Sequence, residues 1–219
     1  MAKRPFTVPK PSGVPEVVER LTDRFAVIPG VGKATARRFA LFMAMGNLGD
    51  SGPAALLADD LELMRAKVHR CPRCLAITDA AGDADCIGIC PICEDPKRNS
   101  GQLCVVATMQ DMLAIEKSGA YRGRYFILGK LLSPLEGVDA GELPLGEFET
   151  ILTLGMEVIL ALPVTVDGEA TAILIQRELD GAAGVKVTRI ASGMPHGGDI
   201  EHADQMTIGK AIEQRKEVR

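Results

Sequence analysis

Cys71-Pro72-Arg73-Cys74 and Cys90-Pro91-Ile92-Cys93 are two C-x-x-C pairs with fifteen residues between them, and their reading decides what fold can surround them. A C-x-x-C segment turns tightly enough to aim two thiolates at one point. Two such knuckles complete a closed tetrahedral shell, the spacing of a structural zinc site with no open position for catalysis. Pro72 and Pro91 follow the first cysteine of each pair, and Gly82, Asp83 and Asp85 mark a loop between the pairs. One Zn²⁺ per chain is expected on Cys71, Cys74, Cys90 and Cys93. It would staple a short segment with little core of its own inside a longer chain.

A disulfide framework is the competing reading, and it needs an oxidising compartment. The stretch from Met1 to Val17 carries Pro and Lys at intervals and no apolar run suited to a signal peptide. A reducing, cytoplasmic setting is therefore expected. Cys86 lies four residues before Cys90, so a shell using Cys86 in place of Cys90 stays open. Cys104, within the apolar run Leu103 to Val106, reads as a buried thiol. His69 reads as a bystander, since four thiolates already suffice.

Working outward, the chain of 219 residues is 47% hydrophobic and 25% charged, ordinary for a globular protein. No run approaches the roughly 18 apolar residues of a membrane span. Aromatics are few and Trp is absent, which disfavours base stacking as the main binding mode. The net charge of −4 is unevenly spread. Residues 1–46 hold eight basic and three acidic side chains, net +5, leaving −9 for the remainder. A polyanion-binding module on an acidic body has that asymmetry.

The basic segment contains Ile28-Pro29-Gly30-Val31-Gly32-Lys33, followed by Ala34-Thr35-Ala36-Arg37-Arg38-Phe39-Ala40. Val17, Val18, Leu21 and Phe25 before it, and Ala36, Phe39, Ala40 and Met43 after it, recur at helical spacing. This reads as helix, glycine-rich hairpin, helix. Gly30 and Gly32 let the backbone approach an anion, and the amides opening the second helix point at it. A phosphodiester backbone suits such a site without base reading. Lys33, Arg37 and Arg38 supply counter-charge. A nucleotide-binding P-loop is excluded, because Val27 and Ala34 stand where Gly and Ser or Thr are required.

From Gly101 apolar runs alternate with amphipathic segments. Strands are predicted at Leu103–Val106, Arg124–Leu128, Glu157–Ala161 and Val185–Ile190, and helices at Met109–Lys117 and Gly168–Leu179. Such alternation implies a parallel α/β sheet. Residues 129–156 read as a long connection with one short helix, and Asp204–Arg215 as a C-terminal helix or arm.

In this order the chain resembles the RecR family of bacterial recombination mediators over nearly its whole length. Pro29-Gly30-Val31-Gly32 with Ala36 and Arg38 is similar to the family's hairpin. Cys90-Pro91-Ile92-Cys93 with Pro96 and Arg98 is similar to its second knuckle. Leu103-Cys104-Val105-Val106, Ala114-Ile115-Glu116 and Gly123-Arg124-Tyr125 resemble the opening of its Toprim domain, and Leu132-Ser133-Pro134-Leu135 with Gly137 its connection. Glu157-Val158-Ile159-Leu160-Ala161 and Gly168-Glu169-Ala170-Thr171-Ala172 match a later strand and helix. Gly197-Gly198-Asp199 with Glu201 and Asp204 matches its C-terminal element.

The resemblance implies an α/β protein with four parts: a helix-hairpin-helix domain (1–66), four-cysteine zinc knuckles (67–98), a Toprim-like parallel α/β domain (99–195) and a C-terminal element (196–219). It implies a DNA-binding adaptor that helps load a recombinase on single-stranded DNA with RecF- and RecO-type partners. A homo-oligomeric clamp, dimer or tetramer, near the nucleoid is part of the same expectation. Two other readings stand beside it: a Mg²⁺-dependent Toprim nuclease or primase-like enzyme, and a zinc-stabilised interaction module without DNA binding.

Departures from the family bear on those alternatives. The lysine of the hairpin sits one position early, at Lys33, whereas Arg38 stands where the family's arginine does. Ala107 replaces the acidic residue after the first Toprim strand, and Leu162-Pro163-Val164 the Thr-Asn-Pro-like run. The spacer between the knuckles is longer than usual. A hard cation needs clustered carboxylate oxygens, and Asp167 and Glu169 alone read as caps and dipole partners of a helix start. His196 and His202 fall in and after a glycine-rich loop. No catalytic residue is expected.

Overall fold

A computed structural model of the chain describes residues 13–46, 52–79, 88–180, 184–194, 197–215 and 217. The chain divides into two units, Met1–Lys67 and Val68–Arg219. The expected loop markers Gly82, Asp83 and Asp85, together with Cys86 and His196, lie outside the described residues.

The first unit is helical: α1 (Glu16–Ala26), α2 (Lys33–Met45) and α3 (Pro53–Lys67). Ala36 and Ala40, one turn apart on α2, are fully buried. Small side chains at that spacing let a neighbouring helix approach closely. Val18 is buried on α1, and Phe25 meets Phe39 edge to face with ring centroids 5.9 Å apart. Val17, expected on the same apolar face, is exposed. Helix α3 buries no residue at all, so Leu56, Leu61, Leu63 and Met64 all face outward.

In the second unit β1 (Val68–Arg70) pairs antiparallel with β2 (Ile77–Asp79), and α4 (Pro91–Glu94) is a single turn. Then follow β3 (Asn99–Val106), α5 (Met109–Ser118), β4 (Gly123–Ile127), α6 (Leu145–Ile151), β5 (Glu157–Ala161), α7 (Val166–Leu179), β6 (Lys186–Arg189) and α8 (Gln205–Glu213). The four strands from β3 to β6 form an all-parallel sheet in the order β4-β3-β5-β6. All four predicted strands and the predicted helices are present. The connection at 129–156 holds a 3-10 turn (Ala140–Glu142) as well as α6.

Period-two alternation splits the core between two faces of the sheet. Leu103, Val105, Phe126, Leu128, Val158 and Leu160 meet Phe148 of α6 and Ala172, Ile175 and Leu179 of α7. On the other face Cys104, Val106, Tyr125 and Ile127 meet Met112 of α5 and the four cysteines. Burying both faces explains why the strands read as continuous apolar runs.

The helix starts are fixed by side chains. Thr108 and Asp111 form a reciprocal capping box on α5, and Asp204 accepts from the amides of Met206 and Thr207 on α8. At α7 the cap is Thr165, which accepts from the Gly168 amide at 3.1 Å. This corrects the expectation that Asp167 or Glu169 caps that helix; both lie inside its first turn. Among the described residues no helix is long and apolar enough to cross a membrane.

Candidate metal centre and candidate nucleic-acid interface

The first knuckle follows directly on β1. The Cys71 amide donates to the Ala76 carbonyl at 2.8 Å, and the Leu75 amide returns to the Cys71 carbonyl at 3.0 Å. Leu75 takes a left-handed backbone, φ 61°, uncommon for a branched side chain. That reversal turns Cys71 and Cys74 to the same side. In the second knuckle Cys90 precedes α4, with Pro91 at the first helical position. The amides of Cys93 and Glu94 both donate to the Cys90 carbonyl at 3.0 Å.

Together the two turns bring all four buried Sγ atoms within 4.8 Å of one another. Zn–S bonds of about 2.3 Å place tetrahedral sulfurs roughly 3.8 Å apart, so the donor set fits an ion of that kind. No disulfide links the described cysteines. Cys74 Sγ and Cys90 Sγ are 3.4 Å apart, and the Cys90 amide donates to Cys71 Sγ at 3.4 Å. Hydrogen bonds from Cys74 and Cys93 draw the Cys90 thiol down to about 2, whereas the bond to Cys90 and burial push Cys74 upward. A cation at the centre of the four sulfurs would let all of them ionise.

Cys104 is buried in the same core but outside this group, and burial pushes its thiol up to about 12. His69 Nε2 lies 3.3 Å from the Gly88 carbonyl, on the segment entering the second knuckle. It ties β1 to that segment and does not join the sulfur group.

The centre is built into the sheet. The Ile127 amide donates to the Cys74 carbonyl at 2.9 Å, so the first knuckle covers the end of edge strand β4. Leu75 packs against the opposite core face. Just beyond the second knuckle, Arg98 holds Glu116 of α5 through two bonds, 2.9 and 2.6 Å, and reaches the Gly123 carbonyl at 3.2 Å. Tyr125 donates to the same carboxylate at 2.6 Å and meets Tyr121 edge to face. Arg98 first, then Tyr125, hold Glu116 below the usual carboxylate range against the cost of burial. Sequence reasoning registered Arg98, Glu116, Gly123 and Tyr125 only as separate likenesses. Their meeting as one network has no sequence-local signal, because the partners are far apart in the chain.

The hairpin is the second site. Ile28 and Val31 are joined by a tight turn, with the Val31 amide donating to the Ile28 carbonyl at 3.0 Å. Gly30 at φ +81° needs glycine for its backbone. Gly32 does not: its φ is −72°, and a Cβ there would meet nothing within 4 Å. Gly32 opens α2 without a side-chain cap, and the first amide to find a helical partner is that of Ala36. The amides of the first turn are thus left facing outward. Lys33, Arg37 and Arg38 are exposed and form no ion pair among the described residues. Lys33 and Arg37 share one face at i, i+4. Arg38 lies beside them, its guanidinium carbon 5.9 Å from the Phe39 ring centre.

At the C-terminal end of the sheet, Ala107 and Pro163 border a crevice that also contains Asp111 and Asp167. Asp111 is committed to its capping box. Glu169 forms two bonds with Arg189, 2.7 and 3.1 Å, and an ion pair with Lys210 at 3.6 Å. Asp167 and Glu169, the two carboxylates a Mg²⁺ site would use, therefore face different neighbours. His202 is exposed beside Glu201.

Comparison with known proteins agrees with this architecture. A family model described as the Toprim domain matches residues 101–191, and one described as RecR, C-terminal, matches residues 193–216. Recombination protein RecR of Psychrobacter sp. (strain PRwf-1) is 40% identical over 202 residues, 91% of this chain and 98% of that protein. Recombination protein RecR of Myxococcus xanthus is 40% identical over 206 residues, covering 93% and 99%. That of Thermus thermophilus is 40% identical over 204 residues, covering 93% and 98%. Likeness at this level, running almost end to end in both partners, makes the chain a member of the RecR family.

Proposed function

We propose that the protein is a DNA-binding mediator of recombinational repair that acts without catalysing a reaction. The observation that carries this is the hairpin: an open glycine turn, outward-facing helix amides and three cations without ion pairs among the described residues, all on one exposed surface. Gly32 is the sharpest part, since nothing in the fold requires glycine there and its bare surface leaves room for a phosphate. Arg38 and the backbone of Gly30 complete the contact set.

The four cysteines hold one structural Zn²⁺, for which buried thiolates in a closed shell are the suited ligands. Each part of the chain then has its own place, with 1–66 contacting DNA, 67–98 holding metal, 99–195 docking RecF- and RecO-type proteins and 196–219 forming a C-terminal element. The exposed apolar side chains of α3, with Val17, Phe42 and Met45, support self-association into a dimer or tetramer clamp. A nucleoid-associated, cytoplasmic setting follows from the DNA reading and from reduced thiols. The absence of catalysis is supported by the engagements of Asp111 and Glu169, which leave no free carboxylate cluster at the C-terminal end of the sheet among the described residues.

A mobility-shift series on single-stranded, duplex and gapped DNA, with and without a RecO-type partner, tests the reading. Salt-sensitive binding that the partner enhances is the expected result. No binding on any of the three at low salt would end it.

A further inference from the structure

Between α6 and the C-terminal half of α7 lies a small cleft of about 220 Å³. Its floor is apolar: Leu145, Phe148 and Leu152 on one side, Leu179 on the other. The remaining lining residues are two glutamates, Glu149 and Glu178, and no lysine or arginine lines it among the described residues. Both carboxylates are exposed, and neither forms an ion pair among the described residues. The larger cavity beside α8 differs in kind. Its carboxylates are already engaged, Glu169 in ion pairs with Arg189 and Lys210 and Asp204 as hydrogen-bond acceptor from the Thr207 hydroxyl.

The dimensions and the charge together define an occupant. A volume near 220 Å³ is below that of a typical small-molecule pocket, about 300–1,000 Å³, and suits one or two aliphatic side chains. An apolar floor between two unneutralised carboxylates suits an anchor flanked by cations. DNA is excluded by the sign of the rim. We propose that this cleft docks a partner protein through a short basic segment, one leucine-sized side chain entering between Phe148 and Leu179 with lysine or arginine on each side meeting Glu149 and Glu178. The proposal deepens the adaptor reading and rests on it, because an adaptor needs a protein-docking site apart from its DNA site.

The test uses a dye-labelled synthetic peptide, acetyl-Gly-Lys-Lys-Leu-Lys-Lys-Gly-amide, titrated with the full chain and followed by fluorescence anisotropy. Glu149→Gln with Glu178→Gln should weaken binding about tenfold, because each exposed ion pair is worth up to about a factor of five. Replacing the peptide's leucine with alanine should weaken it by a similar factor. Neutralising Lys33, Arg37 and Arg38 should leave peptide binding unchanged, so failure of the DNA reading and failure of the docking cleft are separable. Both glutamates are exposed, and a circular-dichroism spectrum equal to the parent's confirms that the fold is kept. Equal binding by the double glutamine variant overturns the proposal. So does equal binding of the alanine peptide, which would reduce the attraction to charge alone.

Discussion

The two units solve burial differently. In Val68–Arg219 each face of a parallel sheet has its own cover, and the cysteine centre fills part of one face. In Met1–Lys67 the buried hydrophobic set among the described residues is Val18, Ala36 and Ala40, while Met45 is 81% and Phe42 62% exposed. One unit carries a large core of its own; the other, among its described residues, exposes apolar and cationic surface. The difference teaches where stability and where binding should reside. Damage to the second unit should read out as unfolding, and damage to the first as lost association.

The largest expected effect comes from the metal. Cys71→Ser should lose the ion, and because the sulfurs share a core with Met112, Tyr125 and Ile127, the loss should spread beyond residues 68–98. The cost should rival a domain's whole stability, roughly 5–15 kcal/mol. Metal content with hydrogen-exchange protection measures it: amides of β4 and α5 should lose protection, and those of α2 should not. Full metal content in this variant, or its loss in Cys86→Ser, would show that the ligand set is wrong.

Next comes the Arg98 network. Arg98→Met leaves Glu116 partly buried beside Tyr125 without its main partner. Removing one member of a buried pair costs about 3–5 kcal/mol; with the side chains 11% and 25% exposed, about 2–3 kcal/mol is expected. The pH dependence has a definite sign. Glu116 is held below its ordinary range when folded, so its contribution is present above the unfolded value, about 4.3, and disappears as pH falls through the depressed folded value. Chemical denaturation of the parent should therefore show stability falling on acidification in that window, and the variant should show a flatter limb. Parallel limbs would assign the acid sensitivity to another carboxylate.

This network also marks the limit of what sequence could tell. Strand β5 was legible to the residue, because the apolar run that follows Glu157, set between a glycine turn and a proline, has few other uses. Strand β3 begins four residues earlier than its apolar run, at Asn99, because an irregular register pairs Asn99 with Gly123; main-chain pairing of polar residues leaves no apolar signature. The four metal-site cysteines were legible because spacing alone specifies a shell. The α7 cap was not. Thr165 has Gly168 three residues on in place of Glu or Gln, so the usual capping signature is missing, and the nearby carboxylates drew the assignment. Nor could periodicity reveal that α3 buries nothing, since Leu57, Leu61 and Met64 recur at the i, i+4, i+7 spacing of a buried face.

The hairpin predictions sharpen the other side of the comparison. Neutralising Lys33, Arg37 and Arg38 together should leave the thermal transition in place and weaken DNA binding at least tenfold, about 1.4 kcal/mol. Losses should be alike across unrelated sequences, and each lost phosphate contact should flatten the logarithmic salt slope by roughly 0.7–0.9. Gly32→Ala adds a methyl that meets nothing in the protein. It should thus be silent in stability and visible only in DNA affinity. Gly30→Ala, at a left-handed φ, should cost stability of about 1 kcal/mol or more. If the triple variant keeps both affinity and salt slope, the DNA site lies elsewhere.

The smallest effect is expected where an enzyme would show its largest. Asp167→Asn with Glu169→Gln removes the two carboxylates that could have served Mg²⁺ in a Toprim crevice. If Glu169 is structural, its loss frees Arg189 and Lys210, an exposed pairing worth about 0–1 kcal/mol and further screened by salt. Its carboxyl is held low mainly by Arg189, so what it contributes is present above the unfolded carboxylate range and vanishes on acidification through the folded value. At neutral pH the double variant should then unfold within about 1 kcal/mol of the parent, with the difference shrinking at high salt, and α7 should persist because Thr165 still caps it. DNA association should be unchanged, the hairpin being in the other unit. Incubation with Mg²⁺ and labelled oligonucleotides should give identical product profiles for parent and variant. Strand cleavage or primer synthesis present in the parent and absent in the variant would make this end of the sheet an active site, and the division of labour between the two units would have to be redrawn.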